Sequence, residues 1–252
     1  MRSIRSRPGR GTTALSRPAV PASFRAAANG EARNRLLQKH FFIIETESIM
    51  KIILVGATGT LGKAVDRELS PRHEIVRVGR KGGDLQVDIT DPKSIEQLYA
   101  KTGDVDAVVS ATGDVHFGPL EEFTQAQFEV GLRGKLMGQV NLVALGIKHV
   151  RSGGSFTLIS GQINDDPIRM GASGAMVNGG LEGFVRSAAL ELPRGLRINL
   201  VSPTMTEESA AAFGPFFPGQ KAIPAAEAAL GFVKSVEGPQ TGRVYRIGWL
   251  RD

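Results

Sequence analysis

The sequence predicts an α/β fold, a single doubly wound parallel sheet flanked by helices, on three observations. Short, continuous, β-branched apolar runs alternate with longer helix-like stretches from Met50 onward. The first of these runs leads directly into three spaced glycines and then a helix. The chain has 252 residues, 41% of them hydrophobic and none of them cysteine, so it buries a core without disulfides or a Cys-ligated zinc.

The first strand is expected over Lys51–Val55, whose unbroken apolar character suits a strand covered on both faces. The pattern recurs at Glu74–Val78, Asp106–Ser110, Ser155–Ile159, Arg197–Val201 and Arg243–Ile247. Helices are expected between them, near Leu61–Leu69, Pro92–Tyr99, Glu121–Lys148, Ala172–Leu192 and Ala225–Val236. Strand, helix and strand in this order imply right-handed crossovers and one domain over residues 50–252. No internal repeat is visible.

Residues 1–49 differ from the rest. They hold 9 of the 31 Lys+Arg and 3 of the 25 Asp+Glu, which leaves 22 of each and no net charge for residues 50–252. The formal net charge of +6 therefore belongs to the extension, and the balanced remainder offers no electrostatic footprint for nucleic acid. Low acidity and several Ser, Ala and Pro predict that the extension is disordered. It reads either as a start assigned upstream of Met50 or as an organelle transit segment, and the lack of an amphipathic period favours the first. No apolar run approaches the roughly 20 residues of a membrane-spanning helix, so a soluble, cytoplasmic protein without a membrane partner is expected.

Chemistry begins at Gly56-Ala-Thr-Gly59-Thr-Leu-Gly62. Glycines between a buried strand and a helix let the backbone approach a pyrophosphate whose charge sits at the helix N-terminus. The candidate binding residues are Gly56, Thr58, Gly59, Thr60, Leu61 and Gly62. About 20 residues on, an acid would accept the ribose 2′-hydroxyl of NAD. The chain reads Val78-Gly79-Arg80-Lys81 there, and two cations at Arg80 and Lys81 suit the 2′-phosphate of NADP. The alternative is that both are solvated loop charges; Asp84 lies close by.

With these residues in place the sequence resembles the short-chain dehydrogenases/reductases over essentially all of residues 50–248. Gly56–Gly62 resembles that family's cofactor loop, Val87-Asp88-Ile89 its adenine-contacting segment, and Ser110-Ala111-Thr112-Gly113 its NNAG motif. Ile159-Ser160 is similar to its catalytic serine, residues 182–192 to the latter part of its active-site helix, and residues 197–203 to the strand and loop that follow. The resemblance implies a Rossmann-like fold, NADP(H) as cofactor, a small carbonyl or alcohol as substrate, a homo-oligomer (dimer or tetramer), and cofactor contacts from Asp88, Ala111, Thr112, Gly113, Pro203 and Thr204.

The departures are as informative. The family's YxxxK motif falls on Gly174 and Asn178, and the tyrosines, Tyr99 and Tyr245, are followed four residues later by Gly103 and Trp249. The family's structural asparagine falls on Lys135. Carbonyl reduction needs a proton for the developing alkoxide, which glycine and asparagine do not supply. Ser160 and Lys135 are therefore the candidate catalytic residues, Lys135 as a desolvated proton donor; His116 is a second donor by residue type. The bland readings are a turn-capping Ser160, a solvated Lys135 and a surface His116. No metal site is expected. Two functions stand: an NADP-dependent oxidoreductase with a non-standard active site, or a catalytically silent NADP(H)-binding sensor or partner-binding protein.

Overall fold

The computed structural model describes residues 49–249, so the expectations for the basic extension lie outside the described residues. Seven strands form one parallel sheet: β1 (Lys51–Val55), β2 (Glu74–Gly79), β3 (Leu85–Gln86), β4 (Val105–Ser110), β5 (Val150–Ile159), β6 (Arg197–Pro203) and β7 (Val244–Ile247). Their spatial order is β3-β2-β1-β4-β5-β6-β7. Ile52 is in register with Ile75 of β2 on one side and Ala107 of β4 on the other.

The helices are α1 (Thr60–Leu69), α2 (Pro92–Thr102), α3 (Gln125–Gly131), α4 (Gly138–Gly146), α5 (Ala172–Glu191), the single turn α6 (Ala210–Phe213) and α7 (Ala225–Glu237). Alternate residues of each strand feed opposite layers. Ile52 and Leu54 pack with Ala64, Val65 and Leu69 of α1 and with Ala229, Phe232 and Val236 of α7. Ile53 and Val55 pack with Ile95, Leu98 and Tyr99 of α2, Leu142 of α4, and Leu181 and Val185 of α5. All four β1 residues are at most 2% exposed, which is why the run carries no polar alternation. Each such side chain contributes about 1.5–3 kcal/mol of burial.

Three expectations change. The stretch expected as one helix over Glu121–Lys148 is broken. Leu120–Glu122 is a single 3₁₀ turn, α3 starts behind a capping box, and Leu132–Met137 is a π-helical segment before α4. In the box Thr124 N donates to Gln127 Oε1 at 2.7 Å while Thr124 Oγ1 accepts from Gln127 N. Residue types hid the break, because a π turn changes the hydrogen-bond pattern and not the kinds of residue that carry it. Strand β5 begins five residues before Ser155, at Val150, through a polar Ser-Gly-Gly stretch where its register on β4 shifts. Strand β3 has two residues, too few to make a pattern.

Strand β1 sits between β2 and β4, so the chain winds outward in both directions from this point. The carboxyl ends of β1 and β4 diverge into a crevice there, the position where open α/β sheets receive ligands.

Candidate active site

The loop after β1 is held from below: Gly56 N and Ala57 N both donate to Val78 O, at 2.8 and 3.2 Å. Gly56 has φ +87°, and a Cβ on it would stand 2.7 Å from Ala111 O. A Cβ on Gly62 would stand 2.0 Å from Gly56 O, so α1 seats on the loop at a separation only glycine permits. No side chain caps the start of α1. The first-turn amides therefore remain available to an anion.

Above this loop lies a groove of about 370 Å³. Gly56, Thr58, Gly59, Arg80, Lys81, Ala111 and Thr112 line it, and Val87 and Ile89 give it an apolar wall. These backbone approaches, the cations and the flat apolar wall fit a dinucleotide. Thr60, Leu61 and Gly62 form the first turn of α1, with the Leu61 side chain packed against the core. Asp88 is exposed beside the groove, accepting from Thr90 N and Thr90 Oγ1 at 2.9 and 2.7 Å. Those bonds hold its carboxyl below the ordinary carboxylate range, with Arg80 adding to the effect.

Charge in the groove is arranged differently from the sequence expectation. Asp84 accepts from Arg77 N at 2.8 Å and is thereby tied to β2. The acid that does line the groove is Asp114, paired with Arg80 at 3.0 Å, both side chains more than half exposed. Sequence reasoning passed over Asp114; the signal available was a lone acid directly after Gly113.

A second cavity, about 290 Å³, opens at the ends of β5 and β6. It gathers Lys135, Ser160, Gly174, Asn178, Pro203 and Thr204, so the last two residues line this cavity rather than the groove. Lys135 rises from the π segment, and its stem crosses Gly113, where a Cβ would stand 2.6 Å from Lys135 Cγ. Its Nζ donates to Ser160 O at 3.3 Å. Among the described residues no carboxylate pairs with it; desolvation lowers its ammonium to about 8. Ser160 is 5% exposed, and its Oγ makes only a long 3.4 Å bond to Gly161 O.

The space beside Gly174 is taken by Ile163, whose Cδ1 would lie 2.6 Å from an added Cβ. Asn178 Nδ2 donates to Gly161 O at 3.0 Å and so braces the loop after Ser160. Tyr99 Oη donates to Leu142 O and Tyr245 Oη to Gln240 Oε1, both away from the cavity lining. His116 is not among the lining residues; its Nε2 lies 3.1 Å from Gln127 Nε2 and its ring is edge-on to Phe123.

Gln139 is the positioning residue that sequence reasoning missed. It is fully buried on α4, with Oε1 accepting from Ile159 N at 2.8 Å and Nε2 donating to Ile159 O at 2.9 Å and to Lys135 O at 3.2 Å. One side chain therefore sets the π segment that carries Lys135 against the strand end that carries Ser160. The legible signal was a glutamine inside an apolar helical run.

Comparison with known proteins agrees with this architecture. Residues 56–237 match the family model described as enoyl-(acyl carrier protein) reductase. The crystal structure of the protein lin1944 from Listeria innocua is 51% identical, covers 78% of this chain and 98% of its own, and superposes with a TM-score of 0.77. Elsinochrome reductase 1 from Elsinoe fawcettii is 30% identical over 61% of this chain and 67% of its own length. A small-chain dehydrogenase in complex with NADPH shares the fold, with 22% identity, 79% and 96% coverage and a TM-score of 0.71.

Proposed function

Since this chain belongs to the short-chain dehydrogenase/reductase family of oxidoreductases, we propose that it is an NADP(H)-dependent enzyme interconverting a small carbonyl and its alcohol, with Lys135 as proton donor in place of a tyrosine. The observation that carries this reading is the meeting of Lys135 and Ser160 in one cavity beside the groove. The groove residues Gly56, Gly59, Arg80 and Lys81 would hold the dinucleotide, whose nicotinamide would supply the hydride and its electron pair for the carbonyl carbon. The chain's own part is at the oxygen. Ser160 Oγ, held by no strong internal bond, donates to the carbonyl and keeps it within reach of Lys135. The Lys135 ammonium gives up a proton as the alkoxide forms and is recharged from solvent. At about 8 its pKa lies close to working pH, where an acid is both protonated and willing to donate.

The cofactor preference rests on Arg80 and Lys81, which are poised to bind a 2′-phosphate once Arg80 releases Asp114. A homo-oligomer joined through α5, which exposes Met176 and Leu190, belongs to the same reading and is checked by sedimentation. The second reading, a silent NADP(H)-binding sensor, draws on the absence of a tyrosine from the cavity and on Ile163 standing beside Gly174.

The deciding experiment mixes the full chain with NADPH and a panel of ketones and aldehydes and follows cofactor absorbance. Oxidation that is lost in Lys135→Met supports the enzyme. Tight NADPH binding without oxidation of any panel member sinks it in favour of the sensor.

A further inference from the structure

Beyond the reaction cavity lies another of about 470 Å³, walled by residues 166–170 after β5 and residues 215–220 before α7. The two share a partition. Gln162 and Phe217 line the inner cavity, while Phe216 and Gln220 line the outer one. Gln162 Nε2 donates to Gln220 Oε1, and Gln220 Nε2 donates in turn to Asp166 Oδ2 at 2.7 Å. Between the cavities run the main chain at Phe216 and Phe217 and this chain of side-chain hydrogen bonds, and the hydrogen bonds are the part that rotamer changes open.

The outer cavity is preformed, with an apolar wall on one side and Asp166, Arg169 and Gln220 at its polar edge. Pro167, Pro215 and Pro218 stiffen its two loops, and Ile168, Met170 and Phe216 face it. Met170 is held at φ 65°, a region uncommon for a side-chain-bearing residue, by Gly118 N donating to its carbonyl at 3.1 Å. Met170 and Phe216 remain 43% and 38% exposed, apolar surface left uncovered at one mouth. The inner cavity alone, near 290 Å³, is at the bottom of the roughly 300–1,000 Å³ range of small-molecule sites. The Phe117–Phe213 pair, with ring centroids 5.9 Å apart, flanks it.

Resting on the reductase reading, we infer that the outer cavity is a second substrate subsite and that the substrate is an extended aromatic ketone. Its carbonyl lies at Ser160, its first ring beside Phe117 and Phe213, and its distal ring passes Gln220 to pack on Phe216 and Met170. A flat ring suits this path because it buries a large area and gains edge or face contacts to the aromatic walls.

The test is calorimetry on the full chain saturated with NADPH, using acetophenone and para-acetylbiphenyl, which share a reacting end and differ by one ring. The parent protein binds the longer ketone about tenfold or more tightly, as expected for burying a second ring. Phe216→Ser, at a half-exposed position that does not threaten folding, removes most of that preference and shifts acetophenone affinity less than about twofold. Equal affinities in the parent, binding of neither ketone, or equal weakening of both by Phe216→Ser overturns the subsite. NADPH oxidation is measured in parallel. A length preference without turnover removes the reductase reading and keeps the subsite; turnover of acetophenone without a length preference does the reverse.

Discussion

The groove at the ends of β1 and β2 and the cavity at the ends of β5 and β6 are built from different material. In the groove the backbone forms the floor: Gly56 and Gly62 bring main-chain atoms to separations that any Cβ would prevent. In the cavity side chains do the work: Lys135, Ser160, Gln139 and Asn178 meet from three separate parts of the chain. A backbone site depends on the absence of side chains, so it admits almost no substitution and keeps its ligand class. A side-chain site changes its chemistry one residue at a time. The same molecule can thus hold a glycine loop of the family's pattern beside a cavity lined by Lys135, Ser160, Gly174 and Asn178.

The sharpest way to break this contrast is a pair of variants. Gly62→Val drives a side chain into backbone 2.0 Å away, and NADPH affinity should fall by more than about a hundredfold or the fold should fail. Gly174→Ala meets only the tip of Ile163, which rotates aside, and its NADPH affinity and melting temperature should stay close to the parent's. Comparable damage from both, read by calorimetry and thermal melting, would erase the distinction.

Lys135→Met probes the cavity alone. Turnover should drop roughly a hundredfold, the size expected for losing a general acid, while NADPH affinity moves less than about threefold. The pH profile carries the same information. Burial lowers the Lys135 ammonium to about 8, so the proton-donating form dominates below that value. Reduction should therefore decline as pH rises through about 8, and alcohol oxidation, which needs the neutral amine, should increase over the same interval. A flat profile across it would remove Lys135 from the chemistry.

A smaller effect is expected at the groove's rim. Replacing both Arg80 and Lys81 with alanine should lower the preference for NADPH over NADH by about tenfold, as expected for losing charge-assisted contacts to one phosphate. The smallest belongs to Asp114→Asn. Arg80 and Asp114 form an exposed pair at 3.0 Å, worth roughly 0.2–1 kcal/mol, so freeing Arg80 should tighten NADPH binding up to about fivefold and leave NADH nearly unchanged. Weaker NADPH binding in that variant would mean that the carboxylate holds Arg80 in place for the phosphate instead of competing with it.

The sheet was readable because burial on both faces leaves a mark residue by residue: Ile52 to Val55 are all apolar and all enclosed. The glycine loop was readable because its geometry is local, spanning seven residues between one strand and one helix. The π segment at Leu132–Met137 was not, since a π turn alters the hydrogen-bond pattern without requiring distinctive residue types. Nor was Gln139, whose three partners lie on a strand end and on its own preceding turn.

By itself the sequence determined the doubly wound α/β architecture and the glycine loop between its first strand and first helix. Periodicity and glycine spacing are properties of neighbours along the chain, and they survive without knowledge of the fold. The tertiary structure alone decided that Lys135 reaches Ser160 from 25 positions away, that Arg80 is paired with Asp114 across 34, and that Gln162 meets Gln220 across 58. Those contacts arise where strand ends and loops converge above one edge of the sheet. Their energies depend on burial and on charges brought together by the crossovers, and neither quantity is written in any local stretch of residues.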